Sequence, residues 1–191
     1  TGGASTGLIV QKGNVGIGTT NPGEKLDVSG LTRTSMLKIG GTDVEKTFSV
    51  YFPDGVANQK VDLYFKKFWG WMEVDVTSSY SHQNAAGIVK KRYALGLNSE
   101  DHIYTNSARY TDVQGVTPNN FAISDVTWDA ANSRYRVQIV HRTSTGNTAV
   151  IIVRAHGRNE SYANYIRDMG ITGIYTTDTT TFSYPMVSFP G

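Results

Sequence analysis

The sequence predicts an all-β protein: a short intertwined β stem followed by an antiparallel β-sandwich head of jelly-roll type, with one short helix. Three observations predict it. Residues 13–30 combine glycines, an Asn-Pro step and alternating apolar residues, a texture of tight turns and laterally packed β segments. All 21 aromatic residues lie from Phe48 onward, whereas half of the 20 glycines lie at or before Gly41, so the chain has two unlike parts. Beyond residue 45, short alternating segments recur between clusters of Asp, Asn, Gly and Ser.

The first part, placed at 1–44, has only aliphatic and thioether side chains to bury, among them Leu8, Val15, Ile17, Leu26, Val28, Leu31, Met36 and Leu37. Some forty residues without an aromatic anchor cannot build an adequate core alone. Burial against further copies of the same chain is the remaining solution, which makes the stem an oligomeric β element. The motif occurs once, so a single stem unit is expected.

The second part, 45–191, reads as strands near 47–52, 61–68, 70–77, 87–97, 102–112, 122–128, 134–142, 149–156, 173–177 and 182–187. Turns are signalled at Pro53-Asp54-Gly55, at 98–101, at 130–133 and at Ser144-Thr145-Gly146-Asn147. The last is expected to close a hairpin that pairs Tyr135, Val137 and Ile139 with His156, Arg154 and Ile152. Apolar residues on both faces of these two segments suit central strands. Around the tryptophans, alternation sends Met72, Val74 and Val76 inward and leaves Trp69, Trp71, Glu73 and Asp75 on the polar face. Tyr162, Tyr165, Ile166 and Met169 follow helical spacing, closed by Gly170, and predict about two turns of helix.

Two phosphate-binding readings of the early glycines fail. After Gly16 and Gly18 the third position of a dinucleotide fingerprint is Asn21, followed by proline; Gly18 and Gly23 lead to Glu24, an anion where a P-loop needs lysine. The segment Gly13-Asn14-Val15-Gly16-Ile17-Gly18-Thr19-Thr20-Asn21-Pro22, continued by Lys25-Leu26-Asp27-Val28-Ser29-Gly30, instead resembles the stem motif of phage tail fibres and virion spikes. That resemblance covers about a tenth of the chain. It implies a homotrimeric stem ahead of a head domain, of the type that precedes an autocleaved folding chaperone in longer family members. It implies a receptor-binding fibre fragment, extracellular on the virion, with a host surface glycan or protein and other tail proteins as partners.

Composition narrows the rest. A net charge of +2 and no basic cluster larger than Lys90-Lys91-Arg92, read as a solvated strand edge, give no case for nucleic acid. No apolar run approaches the roughly 18 residues of a membrane span, and the absence of cysteine excludes disulfides and thiol catalysis. The sequence starts at Thr1 with no methionine, charged n-region or apolar h-region, so a piece of something longer is expected. His82, His102, His141 and His156 stand in no metal-ligand spacing, and neither a cofactor nor a metal is expected. Glu73 and Asp75 share a strand face beside the tryptophans, the minimal glycosidase pair, but two acids on a solvated strand are the preferred reading, and the chain is expected not to be an enzyme. Asn159-Glu160-Ser161 matches a glycosylation sequon that a phage protein would not use.

Binding is expected from loops that carry stacking and hydrogen-bonding groups together. The candidates are Tyr80, His82, Gln83 and Asn84 in the 78–86 loop, then Asn119 and Asn120, with 98–102 as a further loop. Trp69 and Trp71 suit either a sugar ring or a protomer interface. A purely structural connector and a capsule-degrading glycosidase are the alternatives to an attachment protein.

Overall fold

Gly16 and Gly18 are explained by the backbone they sit in. A Cβ on Gly16 would collide with the Thr19 carbonyl, and Gly18, at φ +74°, would meet the Ser29 carbonyl at 2.8 Å. These close approaches let β1 (Val15–Ile17) lie parallel to β2 (Leu26–Val28) in the computed structural model, which describes residues 12–34, 36–79, 86–97, 103–104, 109–115, 117–177 and 180. The connection is short for a parallel pair, which ordinarily needs a dozen residues or more. It is held by Asn14 Nδ2 donating to the Pro22 carbonyl at 3.0 Å and by the Asp27 carboxylate accepting from Gly23 N at 3.0 Å. None of the described residues of 12–34 is buried, and Ile17, Leu26 and Leu31 are exposed.

The chain divides into compact units at Thr34 and Ser35. The second unit begins with β3 (Met36–Ile39), assigned by composition to the stem, which pairs antiparallel with β4 (Asp43–Phe52). There follow β5 (Gln59–Phe65), β6 (Gly70–Ser79), β7 (Ala86–Leu97), β8 (Ile103–Tyr104), β9 (Arg109–Gly115), the short helix α1 (Thr117–Asn120), β10 (Phe121–Ile123), β11 (Thr127–Asp129), β12 (Arg134–His141), β13 (Asn147–Gly157), α2 (Glu160–Arg167) and β14 (Gly170–Ile171). They form two antiparallel sheets. One runs β10-β12-β5-β14 with β11 also on β12; the other runs β3-β4-β13-β6-β7, with β8 and β9 both on β7.

The inner faces meet as the layers of a sandwich. Val61, Leu63, Phe65, Val137 and Ile139 of the smaller sheet join Met72, Val74, Val76, Ile151 and Val153 of the larger in one buried core. Each such side chain contributes on the order of 1.5–3 kcal/mol by leaving water. The alternation expected along β6 is therefore observed, with Met72, Val74 and Val76 fully enclosed.

The expected hairpin is not formed. β12 pairs with β5, β10 and β11, whereas β13 pairs with β4 and β6. Periodicity assigns faces, not partners, and two apolar strands satisfy it just as well in different sheets. The residues between them cross from one sheet to the other, as does the segment between β4 and β5. The two crossovers clasp each other: Gly55 N donates to the Ser144 carbonyl at 2.8 Å, and Gly146 N donates to the Asp54 carboxylate. At this end the interior turns polar, with Gln59, His141 and Asn147 buried and the His141 ring between Phe52 and Phe121 at 5.2 and 4.9 Å.

The expected helix is observed as α2. Asn159 caps it, its side-chain oxygen accepting from Tyr162 N at 3.1 Å, so the apparent sequon serves as a helix start. Ala163 and Ile166 are its buried residues, Met169 follows buried, and Tyr162 packs at the margin of the core. At the other end Lys46 Nζ donates to the Arg167 and Met169 carbonyls, a cation at the negative helix terminus. α1, only four residues long, carries no periodicity that would predict it. The expected strand at 182–187 lies outside the described residues. Near 173–177, only Tyr175 bridges to Lys60.

Candidate functional site on the outer face of the larger sheet

Strand register sets the outer face out in rows. One row runs Asp43, His156, Trp71 and Ala94 across β4, β13, β6 and β7. The next runs Glu45, Arg154, Glu73 and Arg92, and beyond it Ile152, Asp75 and Lys90 reach Asp112 of β9.

Glu73 and Asp75 are not solvated acids. Their own residues are 5% and 3% exposed, because long cationic side chains lie over them. Arg154 Nη1 donates to Asp75 at 2.8 Å and to Glu73 at 3.4 Å, its Nε donates to Glu45 at 2.8 Å, and Lys90 Nζ reaches Glu73 at 3.3 Å. Arg92 Nε also pairs with Glu73. Burial would raise the Glu73 pKa, but the hydrogen bonds and charges of Arg92 and Lys90 outweigh it and hold the carboxyl below its usual range. A carboxyl so held is ionised near neutrality and is a poor general acid.

Trp71 is 43% exposed on this face. Beside it His156 Nδ1 lies 3.0 Å from Asp43 Oδ1, and the other oxygen of Asp43 accepts from Thr42 Oγ1 at 3.0 Å. Trp69 lies just ahead of β6. Its ring carries the Arg158 guanidinium at 4.1 Å, and its carbonyl accepts from Arg158 N.

The other sequence candidates are dispersed. Tyr80, His82, Gln83 and Asn84, with His102 and the 98–102 loop, lie outside the described residues. Asn119 is exposed at the end of α1, whereas Asn120 is buried and its carbonyl accepts from Arg142 N at 2.6 Å. The triplet Lys90-Lys91-Arg92 is not a solvated edge, since β7 lies between β6 and β9 and Lys91 points into the core. There Lys91 is wholly buried, 2.8 Å from Asp125 and 3.3 Å from the Ile123 carbonyl. Alternation between Lys90 and Arg92 is the sequence signal that would have found it.

Tyr175, on the smaller sheet, donates to Asp62 and accepts from Gln138 Nε2 at 2.7 Å. Burial and the Asp62 carboxylate push its pKa up to about 12, which keeps the phenol protonated. Among the described residues no group of three or more His, Asp or Glu side chains has metal-site geometry.

No family model and no curated protein matches the chain. Among solved structures it is similar to the tailspike protein gp49 of the Acinetobacter baumannii bacteriophage Fri1, a capsular polysaccharide depolymerase. That similarity has a TM-score of 0.39 and 13% identity and covers 74% of this chain. It is also similar to the tailspike protein of the Acinetobacter baumannii phage AM24, at TM-score 0.33 and 8% identity over 62% of this chain. The chain spans about 22% of the length of the first and 27% of the second. The first comparison corrects the expectation that the chain is not an enzyme. That tailspike is itself described as a capsular polysaccharide depolymerase.

Proposed function

We propose that this chain is part of a phage tail fibre or tailspike, extracellular on the virion, in which the stem joins copies into a homotrimer and the head meets a glycan on the host cell surface. The observation that carries the reading is the stem. Residues 13–30, which resemble the stem motif of phage fibres, fold into a parallel β pair with no buried residue of its own and with Ile17, Leu26 and Leu31 exposed. Such a unit gains its apolar burial from neighbouring copies. The candidate contact residues of the head are Trp69, Trp71, Tyr80, His82, Gln83, Asn84 and Asn119, whereas Asn120 is too buried to meet a ligand.

Light scattering on the purified chain, with adsorption to a panel of bacterial cells, tests the proposal. A trimer that competes with whole phage for adsorption is expected. A folded monomer at micromolar concentration overturns the trimer, and a trimer that adsorbs to no cell and blocks no phage overturns attachment.

A further inference from the structure

We propose that the surface around Trp71 is a saccharide platform that takes neutral or amino pyranoses in preference to acidic ones; this rests on the attachment reading and gives it a place and a ligand class. Trp71 offers an exposed indole on a sheet face, and its neighbour across β7 is Ala94, whose methyl leaves that flank low. Across β13 stands His156, 40% exposed and held through Nδ1 by Asp43, which is itself held by Thr42. In the neutral ring with Nδ1 donating to the carboxylate, Nε2 is left as an acceptor for a sugar hydroxyl. The next row supplies Arg154 and Arg92, each fixed by carboxylates and therefore ordered before any ligand arrives. A flat aromatic flanked by pre-positioned polar groups is what a pyranose ring uses, with its apolar face on the indole and its hydroxyls turned outward.

The charges choose the occupant. A second protein copy seated here would strip water from the exposed members of the network, Glu45, Arg154, Arg92 and Lys90, a desolvation that ion pairing repays poorly. A saccharide leaves it hydrated. Among the described residues, five carboxylates (Asp43, Glu45, Glu73, Asp75 and Asp112) stand against four permanent cations (Arg154, Lys90, Arg92 and the Arg158 over Trp69), so the face keeps an excess of one negative charge and disfavours uronates and sialates.

The test is an array of printed bacterial polysaccharides and oligosaccharides, probed with the full chain, beside whole-cell adsorption. Wild type should bind neutral or amino-sugar polymers, Trp71→Ala should lose at least about tenfold, His156→Ala several-fold, and Trp71→Phe should keep most of the signal. Trp128→Ala, on the smaller sheet, should bind as wild type. Melting temperature and mass by light scattering should match wild type throughout. Undiminished array binding by a folded Trp71→Ala protein, binding confined to acidic glycans, or no array binding by wild type each overturns the platform. The two readings separate cleanly: adsorption that persists in Trp71→Ala removes the platform and keeps attachment, whereas array binding lost with Trp71 in a protein that adsorbs to no cell removes attachment and keeps the platform.

Discussion

Lys91 shows how a single side chain can tie the two layers together. It rises from β7 in the larger sheet to Asp125 in the segment between β10 and β11, which belong to the smaller one. Removing one member of a buried ion pair leaves a charge where water cannot reach it, whereas replacing both with apolar groups removes the charge altogether. Asp125→Ala should therefore lower the unfolding free energy by about 3 kcal/mol, and Lys91→Met combined with Asp125→Leu should recover most of that loss in urea titrations. His141 makes a second residue-scale case. Burial lowers its pKa from the ordinary 6.5, against smaller opposing pulls from the Thr145 backbone and the Asp54 carboxylate. Because the folded pKa lies below the unfolded one, the unfolded chain takes up the proton first as pH falls, and stability drains away from about pH 6.5 down to the folded pKa. Urea midpoints at about pH 7.5 and 5.5 should converge in His141→Gln relative to wild type, since the substitute has no proton to gain.

At the scale of elements, the sequence was informative wherever a pattern is local. The inward run Met72, Val74, Val76 and the helix over 160–167 follow from spacing alone, because alternation and the 3.6-residue period decide which side chains share a side. What spacing could not show was partnership. Tyr135 to Ile139 and Ile152 to His156 look like two arms of one hairpin, yet each sits at the centre of a different sheet. Nor could it show that the acids of β6 lie beneath Arg154, Lys90 and Arg92, since those cations come from strands β13 and β7. The Trp71, His156 and Asp43 cluster was half legible: Trp71 stood out, but its two companions are distant in sequence. The cap of α2 is a local feature and can be tested as one. Asn159→Ala removes the acceptor for Tyr162 N and should cost about 1 kcal/mol, whereas Asn159→Asp should be close to neutral in thermal melts.

For the whole molecule, the stem's apolar side chains are the handle on assembly. Replacing Ile17 and Leu26 together by Asp should convert the trimer expected in light scattering to monomer while the head keeps its near-ultraviolet circular dichroism, because the aromatic residues all lie beyond residue 47. A trimer that survives both charges would move the assembly contacts out of β1 and β2. The paired crossovers bear on how the head comes to exist at all. The central strand of each sheet waits for a partner made long before it: 113 residues separate His156 from Asp43, and 74 separate Arg136 from Asp62. Chains dominated by such remote pairings fold in roughly milliseconds to seconds, not microseconds. During synthesis β4, β5 and β6 leave the ribosome with bare edges, and neither layer can close until β12 and β13 have followed, so any pause in translation between them exposes the chain's stickiest surfaces.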